Sequence, residues 1–264
     1  MTEDEQMLTS LFKCRRLDLY TGQRALTDEE SRALLDMRRR RDDGEPLQYI
    51  LGQTDFMGIM LSVDRRVLIP RPETELLVEE VIEFMSKRKQ GLNILDLGTG
   101  CGNIAIALAQ ELAGSTVLAV DISPEALSVA RQNAITHNVD ERISFLEFDM
   151  HLLPKMLPLT GQFDVIVSNP PYIPAGLGPS LPREVQKEPW VALNGGPDGL
   201  DYYRFIIPFS IQYLKNNGML ALEIGDGQKE RIEAILQSHA DEFFSYYFLK
   251  DYAGTDRIAV AVKA

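Results

Sequence analysis

Apolar side chains in the first 43 residues recur at helical spacing. Leu8, Leu11 and Phe12 share one face of a first segment, and Thr27-Asp-Glu-Glu30 opens a second that continues through Ala33, Leu34 and Met37. The pattern predicts a small helical N-terminal domain over residues 1–43. Between Gly44 and Pro72 it changes to short apolar stretches, Leu47-Gln-Tyr-Ile-Leu51-Gly52, Phe56 to Val63 and Val67-Leu-Ile69, with Asp64-Arg-Arg66 between the last two. These read as a β-hairpin acting as a linker over residues 44–72. Pro70-Arg-Pro72 ends it, because each proline fixes φ and restricts its predecessor. Glu73 to Lys89 then resumes a helical period through Leu76, Leu77, Val81 and Phe84.

From residue 92 the chain alternates strand-like and helical segments, with strands expected at 92–97, 115–121, 143–148, 163–168, 218–224, 244–250 and 257–262. Such alternation predicts an α/β fold: a seven-stranded, mostly parallel sheet covered by helices on both faces. Asn93-Ile-Leu-Asp-Leu97 and Thr116-Val-Leu-Ala-Val120 are continuous and apolar, as strands buried on both sides must be. Ligands of such sheets bind at the carboxyl ends of the strands, near the topological switch point. The catalytic domain is expected over residues 73–264.

Composition narrows the function classes. The chain of 264 residues contains two cysteines, Cys14 and Cys101, too few and too dispersed for a disulfide framework or a zinc site. His137, His151 and His239 show no metal-ligand spacing, so no metal is assigned. No run of 18 apolar residues is available to cross a bilayer, and the opening Met1-Thr-Glu-Asp-Glu-Gln6 is acidic where a signal peptide would be basic and then apolar. A soluble, cytoplasmic protein is expected, and nothing demands more than a monomer. A net charge of −12 opposes stable contact with a nucleic-acid backbone. Arg38-Arg-Arg-Arg41, followed by Asp42-Asp43, reads as a solvated helix end.

The first strand of the alternation runs into Asp96-Leu-Gly98-Thr99-Gly100-Cys101-Gly102-Asn103, followed by the helical Ile104 to Ala109. Alternating glycines let the backbone turn sharply and approach a ligand closely, with a helix N-terminus immediately behind. Nineteen residues past Gly102, at the end of the second strand, Asp121 is placed to accept hydrogen bonds from both hydroxyls of a ribose. Together these imply an adenosine-containing cofactor. The spacing is G-x-G-x-G rather than the G-x-G-x-x-G of dinucleotide sites. S-adenosylmethionine has no pyrophosphate to hold, and nothing else in the chain suggests a nicotinamide site. The third strand ends at Phe148-Asp149-Met150, where a carboxylate and an apolar side chain are available to an adenine; Asp149 reads equally as a cap.

After the strand-like Phe163 to Ser168 come Asn169-Pro170-Pro171-Tyr172. Asn169 offers an amide oxygen, the Pro170 carbonyl a second acceptor, and Tyr172 an aromatic face, an arrangement suited to a planar group bearing NH2. The two prolines hold these acceptors at little entropic cost. The same four residues also read as an ordinary strand-ending turn. Arg71, Glu73 and Thr74 are placed either to close the cofactor pocket or guide a substrate, or to end the hairpin structurally.

Asp96 to Gly102, Asp121 and Asn169 to Tyr172 resemble class I S-adenosylmethionine-dependent methyltransferases. A wider set is similar to the release-factor glutamine methyltransferases, the HemK or PrmC family: Glu45 to Gly52, Val67 to Glu75, Glu188-Pro189, Gly195 to Asp201, Leu222 to Gly225 with Gln228, and Asp251 to Arg257. Residues 1–43 match only as a small helical domain, shorter than the family's. The resemblance implies a Rossmann-like catalytic domain that methylates the glutamine amide of the Gly-Gly-Gln motif in peptide chain release factors and yields S-adenosyl-L-homocysteine. It places Gly98, Thr99, Gly100, Cys101, Gly102, Asp121, Met150 and Asn169 at the cofactor, and Asn169, Pro170, Pro171 and Tyr172 at the glutamine, with Asn169, Pro170 and Tyr172 in catalysis. Position 150 is often aromatic in relatives, and the N-terminal helices are expected to grip the protein substrate. The alternatives are a DNA adenine-N6 methyltransferase, for which a basic surface and a target-recognition segment are expected, an RNA guanine-N2 methyltransferase, and an inactive binding module.

Overall fold

The structure is a computed structural model and describes residues 1–21, 25–86, 88, 91–157 and 160–264. Its elements in chain order are α1 (Glu3–Phe12), α2 (Arg16–Thr21), α3 (Asp28–Asp42), α4 (Leu47–Leu51), β1 (Gln53–Phe56), β2 (Ile59–Ser62), α5 (Pro72–Met85), β3 (Asn93–Leu97), α6 (Asn103–Glu111), β4 (Thr116–Asp121), α7 (Pro124–Thr136), β5 (Ile143–Glu147), α8 (Leu153–Met156), β6 (Phe163–Ser168), α9 (Asp201–Tyr213), β7 (Leu214–Glu223), α10 (Lys229–Gln237), β8 (Phe243–Lys250) and β9 (Asp256–Lys263), with short 3-10 turns between some of them. The helices expected at Leu8 and Thr27 form. Thr2 and Thr27 cap α1 and α3, each hydroxyl accepting from the backbone N–H three residues on, while Glu5 and Glu30 reach back to the cap. Lys89, the expected end of the helix from Glu73, lies outside the described residues.

Among the described residues seven strands form one sheet in the order β5-β4-β3-β6-β7-β9-β8, and only β9 runs antiparallel to its neighbours. This is the fold expected from the sequence. Alternate residues of each central strand feed two cores. Ile94, Val117, Ala119, Val165 and Val167 face α5, α6 and α7, while Leu95, Leu97, Val120 and Ile166 face α9 and α10. The order reverses between β3 and β6, so the carboxyl ends of these strands are adjacent at the switch point. The Ser168 hydroxyl donates to the Leu97 carbonyl at 2.5 Å, fastening the two loop starts together.

The hairpin differs from the expectation. Leu47 to Leu51 forms α4, not a strand, and Leu47 packs with Met7 and Leu34 in a small core of the N-terminal helices. The reversal lies at Met57-Gly58, both at positive φ (53° and 77°), within the apolar stretch Phe56 to Val63. β7 begins at Leu214, four residues before the expected 218, and its pairing with β6 carries an irregularity between Phe163 and Val165. The arginine run at the end of α3 is paired with acids throughout: Arg38 with Asp4, Arg39 with Asp36, Arg40 with Glu45, and Arg41 with both Glu3 and Glu184. Among the described residues no helix is long and apolar enough to cross a membrane.

Candidate active site

The glycine loop closes over the end of β3. Gly98 and Thr99 donate their N–H groups to the Val120 carbonyl at 2.8 and 3.0 Å, which pulls the loop across the neighbouring strand. Gly98, Gly100 and Gly102 all lie at positive φ (76°, 56° and 86°), a conformation costly for residues with a Cβ. Asp121, at the end of β4, accepts from the Gly100 N–H at 2.8 Å through one carboxylate oxygen and from the Ser123 N–H at 2.9 Å through the other. Burial pushes its carboxyl above the ordinary range, opposed by those backbone hydrogen bonds. Each oxygen keeps a lone pair for a further donor.

A cleft opens at this point. Gly98, Gly100 and Asp121 form its polar side, while Phe148, Met150 and Tyr202 supply apolar wall. Asn169 and Pro171 also face it. Asp149 lines it too, but one of its oxygens accepts from the backbone N–H and contacts Nδ1 of His151, both at 3.0 Å, so it serves as a cap.

Thr99, Cys101 and Gly102 do not line the cavity. The Thr99 hydroxyl turns inward and donates to Asp96 at 2.6 Å. Cys101 buries its sulfur in the core, where burial pushes the thiol up to about 12, and its carbonyl accepts from Asn133 Nδ2 at 3.0 Å. A Cβ at Gly102 would stand 3.2 Å from Ala130, so this glycine serves the packing of α6 on α7. These three positions shape the loop from behind.

Asn169-Pro-Pro-Tyr172 projects from β6 between two cavities. The second is lined by Arg71, Pro170, Tyr172, Ile173, Val185 and Leu193 among others. Leu68, Asn169 and Ala192 border both spaces, so Asn169 stands in the shared wall. Its Nδ2 donates to the Thr74 hydroxyl at 3.1 Å; Thr74 donates to Glu223 at 2.5 Å, and the Tyr172 hydroxyl reaches the other Glu223 oxygen at 3.4 Å. Among the described residues no donor reaches Asn169 Oδ1 or the Pro170 carbonyl. Burial pushes Glu223 up to about 7, against the hydrogen bond from Thr74, and raises the Tyr172 hydroxyl as well.

The backbone behind this motif is tightly held. Ile173 and the Leu193–Gly195 segment exchange hydrogen bonds of 2.9 Å, and Gln228 Nε2 donates to the Tyr172 carbonyl at 3.0 Å. A Cβ at Gly195 would meet the Pro171 carbonyl at 2.7 Å, and one at Gly199 would stand 2.4 Å from the Tyr172 carbonyl. Arg71 pairs with the buried Glu188, which also accepts from the Ile69 N–H at 3.0 Å. Thr74 thus meets the motif directly, whereas Arg71 braces the second cavity's rim. Glu188 and Glu223 entered the sequence reading only as members of the motifs that carry the resemblance, with no role given to them, and Asn133 did not enter it.

The cavity fits S-adenosylmethionine on the chain's own chemistry. It offers a carboxylate with free lone pairs, exposed loop backbone and an apolar wall, and beneath the loop Asp96 Oδ1 is buried without a hydrogen-bond partner. Burial pushes Asp96 up to about 7. A family model described as a methyltransferase domain matches residues 88–242, and one described as the PrmC N-terminal domain matches residues 2–52. Fold and site together define a class I S-adenosylmethionine-dependent methyltransferase.

The chain is 42% identical over 225 residues (85% of this chain, 77% of the relative) to a release factor glutamine methyltransferase of Moorella thermoacetica. It is 41% identical over 262 residues (96% and 87%) to one of Chlorobaculum tepidum. It belongs to the release factor glutamine methyltransferase family. A ribosomal protein L11 methylase from Lactobacillus delbrueckii subsp. bulgaricus is similar in structure, with 26% identity, TM-score 0.51, and coverage of 76% of this chain and 83% of that one. The N-terminal match reaches past the 43 residues whose likeness was only helical, and includes α4.

Proposed function

We propose that this chain transfers a methyl group from S-adenosylmethionine to the side-chain amide nitrogen of a glutamine in a peptide chain release factor, the glutamine of its Gly-Gly-Gln motif. The supporting observation is the position of Asn169 in the wall shared by two cavities, with its amide oxygen unclaimed. When bound, S-adenosylmethionine supplies a methyl group already activated by a sulfonium. Gly98, Gly100, Asp121, Met150 and Asn169 hold it; Thr99, Cys101 and Gly102 keep the loop in shape from behind.

An amide nitrogen is a poor nucleophile because its lone pair is delocalised into the carbonyl. The chain's contribution is therefore alignment and electrostatics. Asn169 Oδ1 and the Pro170 carbonyl accept the two amide hydrogens, aim the nitrogen toward the first cavity and stabilise the positive charge that develops on it. Tyr172 covers the amide plane, and Pro171 stiffens the loop. The proton then leaves to solvent, so no base must act before transfer.

A radiolabelled methyl-transfer assay tests the reading. Label should appear on a release factor and disappear when its Gly-Gly-Gln glutamine is replaced by glutamate. Label on duplex DNA or RNA with none on the factor would overturn it.

We infer that the small helical domain of residues 1–43, joined by the linker to the catalytic domain, grips the factor. On these helices Leu17, Tyr20 and Leu35 are 64, 69 and 62% exposed. Leu17→Glu with Leu35→Glu should raise KM for the full-length factor by about tenfold, the scale of one or two interface contacts, and leave a Gly-Gly-Gln peptide unaffected. Equal KM values for the factor before and after substitution would refute this role.

A further inference from the structure

We propose that Thr74 and Glu223 are positioning residues that set the polarity of the Asn169 amide, turning its oxygen toward the substrate. The inference rests on the reading of Asn169 Oδ1 as the acceptor of the glutamine NH2. A threonine hydroxyl has a single hydrogen and two lone pairs. With Glu223 ionised, Thr74 gives its hydrogen to Glu223 Oε2 at 2.5 Å, so toward Asn169, 3.1 Å away, it offers only lone pairs. The group facing it must be the donor, Nδ2. Rotating the amide by 180° would set Oδ1 against an oxygen with no proton to give, leaving two acceptors facing each other.

The elements make this relay rigid. Thr74 sits in the first turn of α5, 1% exposed, directly after the proline-bounded end of the linker, and Glu223 ends β7, 1% exposed, beside the β6 strand that carries Asn169. The second Glu223 oxygen takes the Tyr172 hydroxyl at 3.4 Å, and the Glu223 carbonyl accepts from Tyr203 at 2.9 Å. One carboxylate thus orients both the acceptor amide and the aromatic cover. Two residues distant in sequence specify which atom of Asn169 the substrate meets.

The test uses shape-conserving variants of the full-length enzyme with a Gly-Gly-Gln peptide. Thr74→Val keeps volume and removes the relay; Thr74→Ser keeps the relay. Thr74→Val should lower kcat by about tenfold or more, the lower range for losing a preorganised polar group. It should also weaken peptide binding in the presence of S-adenosylhomocysteine, while the dissociation constant for S-adenosylhomocysteine itself stays within about twofold. Thr74→Ser should recover kcat to within about threefold. From the other end, Glu223→Leu should mimic Thr74→Val, and Glu223→Gln, whose amide oxygen can still accept from Thr74, should mimic Thr74→Ser. Thermal melts establish that each variant folds. Wild-type kcat in Thr74→Val, or a Thr74→Ser as poor as Thr74→Val, would overturn the relay while an inactive Asn169→Ala left the underlying reading intact. A fully active Asn169→Ala would remove both.

Discussion

Asn169→Ala is expected to lower kcat by about 10² to 10³, the range for deleting one preorganised donor or acceptor at a reacting centre. The effect should be confined to turnover. Asn169 is only one part of the cavity's lining, whose glycine backbone, Asp121 and apolar wall remain, so S-adenosylhomocysteine should bind the variant within a few-fold of the wild type. Peptide affinity should fall less than kcat, because the Pro170 carbonyl and Tyr172 still define the second cavity, whereas alignment and charge stabilisation matter most as the nitrogen becomes cationic. Asn169→Asp is an informative companion. It keeps an oxygen but loses the N–H that Thr74 accepts, and it places a carboxylate beside a network that already contains the buried Glu223. Single-turnover methyl transfer at saturating cofactor and peptide measures both. Near-normal transfer by Asn169→Ala would refute the assigned mechanism.

The topology explains why two motifs seventy residues apart act as one site. β3 and β6 are neighbours only because the strand order reverses between them, and this adjacency sets the glycine loop against Asn169. That much was legible in the sequence, since strands buried on both faces read as unbroken apolar runs and glycine and proline punctuate their ends. The five-residue run at Leu47 was less legible, because a short apolar stretch has no period long enough to separate helix from strand. Its packing on Met7 and Leu34 decides for helix. The hairpin reversal was hidden for a different reason: Met57 holds a positive φ that methionine seldom adopts, so only Gly58 signalled the turn.

Within the site, residues whose backbone or side chain meets a ligand were easier to find than those that hold them. Gly100 and Asp121 declare themselves by type and spacing, whereas Thr74 and Glu223 are single polar residues whose partners lie 95 and 51 residues away, in Asn169 and Tyr172. Pairings over such separations are created by the fold alone. The same holds for Asn133, a helix residue that secures the Cys101 carbonyl and both backbone groups of Ser62. Conversely, the motif spacing that drew attention to Thr99 and Cys101 reflected loop architecture, because their side chains point into the protein.

Asp121→Ala should separate cofactor binding from chemistry. A carboxylate accepting two ribose hydroxyls makes charge-assisted hydrogen bonds of about 1.5–3 kcal/mol each. Allowing for water's competition at the cavity mouth, its loss should raise the dissociation constants for S-adenosylmethionine and S-adenosylhomocysteine by about 10²-fold, since each tenfold step is about 1.4 kcal/mol. Part of the loss arises through the protein, because Asp121 also holds the Gly100 and Ser123 N–H groups. Asp121→Asn keeps part of this support: its single oxygen can hold one of those N–H groups, and a smaller rise of about tenfold is expected.

Stability of the cofactor-free protein should respond to two opposing effects of the same carboxyl. Burial raises the Asp121 carboxyl above its unfolded value, so its contribution to stability is present below the ordinary carboxylate range and is lost as pH rises through the folded value. Above that folded value the wild type carries a buried charge that asparagine does not. Asp121→Asn removes that charge but leaves one backbone N–H facing an amide NH2, so it should melt close to the wild-type temperature without cofactor and lose about 1.4 kcal/mol of the stabilisation that saturating S-adenosylhomocysteine confers, the equivalent of a tenfold weaker affinity. Calorimetric titration and paired melts with and without S-adenosylhomocysteine measure the two effects. Unchanged cofactor affinity in both variants would show that the ribose is held elsewhere.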